Sequence, residues 1–316
     1  MLQSKLCSML GIEHPVIQGG MAWIADGKLA AAVSNGGGLG VISAMNAGVD
    51  YLREQIAIAR ELTDKPFAVN IMLMSPHVEE VAQVVVEEKV DVVITGAGIP
   101  TKYIPVWKKA GITVIPVAAS VAAAKMMARA GADAVVAEGG ESGGHIGELT
   151  TMSLVPQICD AVSIPVIAAG GIADGRGIAA SFMLGAVGVQ MGTRFLVAEE
   201  CGVHQNYKDM VLKATDISTT TTGRRFGGNT CRCIKNQFSR DFLQKEYAPE
   251  ATADSVAELG AGALRKAAVE GNVKEGCILA GQIAGMVTRE QPAAEIIKEI
   301  VEEAESVLEG AARWVK

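Results

Sequence analysis

Residues 165–192 read PVIAAGGIADGRGIAASFMLGAVGVQMG. A short apolar run, PVIAAG (165–170), ends in glycine. A helical stretch, GRGIAASFMLG (175–185), follows, and a second apolar run, AVGVQMG (186–192), closes the unit. The two runs are nearly continuous in Val, Ile and Ala. Continuous rather than alternating apolar runs mark strands buried on both faces of a parallel sheet. The stretch is therefore one strand–helix–strand unit.

Outward from it, the same pattern repeats. Further strand candidates are PVIQ (15–18), LGVIS (39–43), FAVNIML (67–73), DVVITG (91–96), ITVIPV (112–117) and DAVVAE (133–138), eight in all. Helical stretches lie between them: GKLAAAVSNG (27–36), VDYLREQIAIARELTD (49–64), HVEEVAQVVVEEK (77–89) and SVAAAKMMARAG (120–131). Gly36, Gly111, Gly131 and Gly185 sit where a helix C-cap is expected. Eight such repeats predict an α/β fold of the (β/α)8 TIM-barrel type, with an open doubly wound sheet as the alternative. After the eighth strand the pattern breaks. Residues 1–201 and 291–316 are expected to form the barrel, and 202–290 a helical and loop insertion capping the active-site mouth. The last stretch, 293–314, carries Ile297, Ile300, Ala304, Val307 and Ala311 at helical spacing, which predicts one amphipathic helix on the barrel's outside.

Composition narrows the class. Of 316 residues, 49% are hydrophobic and 36 are glycine, which fits a large core with many tight turns. No uninterrupted apolar run approaches the roughly 20 residues of a membrane span. The first residues lack a signal-peptide pattern, so a cytoplasmic location is expected. A net charge of −7 argues against a nucleic-acid partner. The six cysteines are sparse, and Cys231-x-Cys233 has no second pair or nearby histidine to complete a zinc set. Reduced structural thiols and no metal are expected.

In a TIM barrel the chemistry sits at the C-terminal ends of the strands. These ends carry Gln18-Gly19-Gly20-Met21, Asn70, Thr95-Gly96, Glu138, Gly170-Gly171 and Gln190-Met191-Gly192-Thr193. Glycines after strands seven and eight are where such barrels bind phosphate through backbone amides. The plainer reading is that they only make tight turns. Two adjacent loops of this character, with Asn70 nearby, favour a nucleotide-like cofactor. GGGLG (36–40) precedes a strand rather than a helix and fails as a Rossmann fingerprint, and neither a P-loop nor a G-x-S-x-G elbow is present. After strand six comes EGGESGGHIG (138–147). Its His145 is either a loop residue facing water or a side chain held in a cleft.

QGGMAW (18–23), AVSNGGGLGVIS (32–43), PFAVNIML (66–73), EGGESGGHIG, PVIAAGGIADGRG (165–177), QMGTRF (190–195) and AGQIAGMV (280–287) together resemble the FMN-dependent enoyl-acyl-carrier-protein reductase II family, within the nitronate monooxygenases. The resemblance runs in order along the whole chain. It implies a barrel holding FMN, with Gly19, Gly20, Met21 and Ala22 by the isoalloxazine and Asn70 hydrogen-bonded to the ring. It implies that Glu138 faces the flavin, where nitronate monooxygenases usually carry glutamine, and that Gly143 and Gly144 let the loop approach the cofactor. Gly170, Gly171, Gly192 and Thr193 would hold the phosphate, with Gln190 and Met191 alongside. His145 matches the histidine near the reacting flavin nitrogen. Ser142 replaces an alanine common in relatives, and little is expected of it.

The implied reaction is reduction of trans-2-enoyl-acyl-carrier protein to acyl-carrier protein with NADH or NADPH in type II fatty acid synthesis. A need for a monovalent cation stays open. His145 could donate the α-carbon proton, hydrogen-bond the thioester enolate, or place the nicotinamide. His14, His77 and His204 are expected to be structural or solvated. The segment from Arg224 to Lys245 holds Arg224, Arg225, Arg232, Lys235, Arg240 and Lys245 against Asp241. Arg224, Arg225, Arg232 and Lys235 are candidate docking residues for an acidic acyl carrier protein, a solvated surface being the plainer reading. A homodimer is expected. The alternatives are a nitronate monooxygenase, in which His145 removes the proton of a nitroalkane and oxygen reoxidises the flavin, and a non-enzymatic flavin-binding barrel.

Overall fold

The computed structural model describes residues 2, 4–44, 48–227 and 230–315; Gly228 and Asn229 of the polar run 214–233 lie outside them. Eight parallel strands form the centre: Val16–Gln18, Gly40–Ser43, Phe67–Met72, Val92–Gly96, Thr113–Ala118, Val135–Glu138, Val166–Ala169 and Gly188–Met191. They are counted one to eight below. Strand one pairs with strand eight, Ile17 opposite Gln190, and each other strand pairs with its neighbour in sequence. Strands one and two meet through an Ile17–Leu39 bridge. There Gln18 N–H donates to the Leu39 carbonyl at 3.0 Å and Leu39 N–H to the Val16 carbonyl at 2.9 Å. The sheet thus closes on itself, which an open doubly wound sheet does not.

Alternate residues divide between two cores. Ile17, Val41, Ala68, Ile94, Ile115, Val136 and Ile167 cluster together with Leu6, Leu10 and Ile12. The helix Lys5–Leu10 brings those leucines to the N-terminal ends of the strands, where a Cβ on Gly188 would strike Leu6 at 2.3 Å. Val16, Ile42, Val69, Val93, Val114 and Val135 belong to the second core with the surrounding helices. The helix Ala293–Glu309 closes the ring by packing on helices Gly175–Met183 and Gly27–Asn35. Its contact with the former is tight: a Cβ on Gly175 would lie 2.2 Å from the Ala304 nitrogen.

Several details differ from the sequence reading. Gly36 caps its helix with φ −75°, and the left-handed turn is made by Gly37 at φ +88°. Helix Ala293–Glu309 passes into a 3-10 turn, Gly310–Trp314, and Val307 is exposed rather than part of the packed stripe. The helix Thr151–Ala161 escapes the sequence reading, with Pro156 in its interior.

Between residues 202 and 290 lie the helices Gln205–Leu212, Gln237–Glu246, Ala253–Gly260 and Ala263–Ala268. Tyr207, Val211, Ile234, Ala268 and Ile278 from this segment join the same core as the barrel's outer face. A three-stranded antiparallel sheet ties it to the loop after strand six. Thr219–Thr222 pairs with Cys231–Ile234, which pairs with Gly144–His145. In that register Cys231 lies opposite His145. No helix among the described residues is long and apolar enough to cross a membrane.

Candidate active site

The C-terminal ends of the strands open into one cavity of about 810 Å³. Gly19, Gly20, Met21, Ala22, Asn70, Glu138, Gly143, Gly144, His145, Gly170, Gln190, Met191, Gly192 and Thr193 all line it. Thus residues spread over more than half the chain meet on one wall. Gly171 is the exception. It is exposed in a left-handed turn at φ +73° against the Glu141 side chain, between Gly170 and Ile172, which do line the cavity.

At three of its glycines the wall leaves no room for a side chain. A Cβ on Gly20 would sit 2.3 Å from the Asn70 Cβ, and one on Gly143 would sit 2.7 Å from the Ala280 backbone. Gly170 combines φ +85° with an approach of 2.7 Å between its would-be Cβ and the Gly139 carbonyl oxygen. Only glycine meets both demands without strain. Backbone is therefore exposed to the cavity along one face, as a flat ring system requires.

Two polar groups fit the expected cofactor. The Gln190 Oε1 is buried without a hydrogen-bond partner, beside the cavity. Such an orphan acceptor is costly unless a ligand donates to it. The Thr193 hydroxyl accepts from Gly281 N–H at 2.9 Å, which leaves its own proton free to donate to an anion. A flavin's polar ring edge and phosphate match these groups, with Asn70 and the Gly170 and Gly192 turns beside them.

Glu138 lies at the end of strand six, facing the cavity but surrounded by protein. Burial pushes its carboxyl up to about 7; the Ser142 hydroxyl opposes this weakly. The Ser142 hydroxyl oxygen is itself buried and makes no hydrogen bond of normal geometry. Ser142 thus belongs to the cavity wall, more than the sequence reading expected of it. The described residues place no arginine against Glu138. His145 exposes its ring to the cavity, yet the protein around it pushes its pKa below 6.5. A group lowered in this way is neutral at pH 7. Cys231, opposite His145, has its thiol pushed up to about 12 by burial and stays protonated.

The sequence reading missed Glu141. Its carboxylate accepts from the Thr151 N–H and hydroxyl at 3.0 Å, and the same hydroxyl lies 2.8 Å from the Gly170 carbonyl oxygen. This network fixes the loop after strand six to the loop after strand seven. Arg232 adds a second tie: its Nε and Nη2 donate to the Gly140 carbonyl at 3.1 and 2.9 Å. Nothing in the spacing of residues 138–147 signals either contact. The other histidines lie elsewhere. His204 Nδ1 accepts from Asn206 N–H at a helix start, and His77 is an exposed neighbour of Glu80. His14 holds a buried Nδ1 without a partner near the strand starts. No group of three metal-ligating side chains occurs among the described residues.

A closed barrel with a glycine-floored cofactor cavity at its C-terminal mouth defines a class, and comparison with known proteins gives the family. The sequence profile described as nitronate monooxygenase matches residues 3–84 and 77–303. The chain belongs to this flavin-dependent family of oxidoreductases. The structure of FabK from Thermotoga maritima is 46% identical, covers 100% of both chains and superposes with a TM-score of 0.96. A nitroalkane oxidase from Streptomyces ansochromogenes is 31% identical over 96% of this chain and 100% of its own, with a TM-score of 0.84. A Mycobacterium tuberculosis protein named (3aS,4S,5R,7aS)-5-hydroxy-7a-methyl-1-oxo-octahydro-1H-indene-4-carboxyl-CoA dehydrogenase is 34% identical over 100% of this chain and 99% of its own. A Rhodococcus jostii protein of the same name is 40% identical over 74% of this chain and 66% of its own.

Proposed function

We propose that the protein is an FMN-dependent enoyl-thioester reductase, converting trans-2-enoyl-acyl-carrier protein to acyl-carrier protein with NADH or NADPH. The full-length likeness to the Thermotoga FabK carries this reading. The cavity supports it, because it sets two proton-holding groups above a floor shaped for a flat ring. Bound FMN supplies the two-electron chemistry. Overall, the enoyl double bond gains a hydride equivalent and one proton, and the nicotinamide is oxidised.

The chain's own residues orient the cofactor and handle that proton. Gly20, Asn70 and Gln190 hold the ring, and Thr193 and the Gly170 and Gly192 turns hold the phosphate. Gly171 contributes only through its backbone. His145, neutral at pH 7, offers a donor N–H to the thioester or its α-carbon rather than acting as a strong acid. Glu138, partly protonated near pH 7, is a proton reserve lining the same cavity.

Arg224, Arg225 and Lys235 are exposed and give the acyl carrier protein a basic landing surface beside the mouth. Arg225 donates to the Glu246 and Ala248 carbonyls, and Lys235 to the Ile217 carbonyl, so these cations are held in place. Arg232 is half-buried on Gly140 and serves the loop more than a partner. A cytoplasmic homodimer belongs to the same reading.

The second reading is a nitronate monooxygenase. The family profile favours it, as do Staphylococcus aureus relatives named probable nitronate monooxygenase, 38% identical over 77% of this chain. A neutral His145 can also serve as a base. The purified protein should show a flavin spectrum and consume NADH or NADPH with a crotonyl thioester under anaerobic conditions. Turnover that requires oxygen and a nitroalkane, with none on the thioester, would replace the first reading by the second. Flavin binding without either turnover would leave only a binding barrel. Unchanged turnover in His145→Ala would remove the histidine from the mechanism.

A further inference from the structure

The cavity does not end at the flavin wall. The same space continues under the segment 202–290, lined by Phe226, Phe238, Phe242, Val256, Leu264 and Leu279. The charged side chains of the cavity, Glu138 and Glu141, are at the barrel end, and this arm has none. At about 810 Å³ the whole space stands near the upper end for small-molecule sites. It is large for a cofactor ring and a small polar substrate alone.

The outer wall of the arm is the helix Ala253–Gly260. Its Ala253, Ala257 and Gly260 face the cavity and stand exposed to it, while Val256 is its one buried residue. Toward its outer side stands a ring pair, Phe238 and Phe242, with centroids 5.7 Å apart. Both rings also line a separate outer cleft of about 480 Å³ that carries Asp241, Lys245, Arg265, Lys266, Glu270 and Glu275. The pair therefore marks where apolar lining stops and charge begins.

We infer that this arm is the binding site for the apolar chain of the thioester, with Ala257 setting its width and Phe242 its length. The inference rests on the reading of the protein as an enoyl-thioester reductase. A linear chain fits the observations. The arm opens directly from the wall that holds His145, it carries no charged side chain along its sides, and it reaches the Phe238–Phe242 ring pair.

The test is the ratio of kcat/KM for dodecenoyl over crotonyl thioesters. Each methylene buried in such an arm is worth about fourfold. Ala257→Phe, which removes room for about two methylenes, should lower the ratio about sixteenfold while crotonyl turnover changes little. Phe242→Ala should raise it several-fold. Dodecanoic acid binding, followed by calorimetry on the wild-type protein and Ala257→Phe, gives a readout independent of turnover and should be lost in the variant. Unchanged ratios in both variants, with wild-type thermal midpoints, would overturn the assignment while leaving the reductase reading intact. A wild-type protein that binds dodecanoic acid in an Ala257-dependent way but reduces no enoyl thioester would overturn the reductase reading and keep the arm. Neither binding nor reduction would sink both.

Discussion

Replacing Glu138 by glutamine should change the stability of the cofactor-free protein in a pH-dependent way. The carboxyl rises from an ordinary 4.5 to about 7 because the fold buries it. The interval corresponds to about 3.4 kcal/mol, at about 1.4 kcal/mol per pH unit. Water in the cavity reduces this, so about 2–3 kcal/mol is the expected ceiling. The sign follows from proton binding. Below pH 4.5 the acid is protonated in both folded and unfolded chains and costs nothing. Between 4.5 and about 7 the folded chain holds more protons than the unfolded one, so stability falls as pH rises. Above about 7 the full penalty applies. Glutamine carries no such penalty. The thermal midpoint of Glu138→Gln minus that of the wild type should therefore be flat below pH 4.5, climb to pH 7 and level off above it. At about 2 °C per kcal/mol for a chain of this size, the climb is roughly 4–6 °C. A pH-independent offset between the two proteins would refute the reasoning, since it would mean that Glu138 titrates normally in the fold.

Gly20→Ala should fold but release flavin. Its new Cβ displaces Asn70, and flavin retention after gel filtration should drop at least about tenfold, roughly 1.4 kcal/mol of binding. Glu141→Ala should cost about 1–3 kcal/mol, since it strands the Thr151 N–H and loosens two cavity loops; chemical denaturation checks it. Arg224→Glu with Arg225→Glu should slow turnover of an acyl-carrier-protein substrate at low salt and spare a pantetheine thioester. Equal effects on both substrates, or none on either, would count against docking at this surface.

The barrel was legible because each of its strands is a continuous apolar run between polar or glycine turns, and runs such as VVIT and VIAA have few other ways to be buried. The cavity wall was legible for a similar reason. Gly20, Gly170 and Gly192 stand at strand ends, where local chemistry alone gives backbone access. What the sequence withheld is non-local. The pairing of Cys231 with His145 joins the short run CRCI to a glycine loop, neither of which is long enough to show a strand period. The Glu141–Thr151 contact joins residues in a loop and a proline-bearing helix. The raised pKa of Glu138 reflects the company it keeps, which spacing does not reveal. Gly171 looked equivalent to Gly170 and shares its left-handed φ, and only the three-dimensional course of the wall separates the two.

The antiparallel pairing across residues 144–145, 219–222 and 231–234 makes His145 part of the roof as much as of the barrel. Its backbone is stitched to the strand that leads directly into helix Gln237–Glu246, the element bearing Phe238 and Phe242. The rings that line the apolar arm and the imidazole that lines the cavity are thus carried on two segments joined edge to edge by backbone hydrogen bonds. A shift of that strand therefore bears on the backbone of His145 as well as on the helix that carries the two rings.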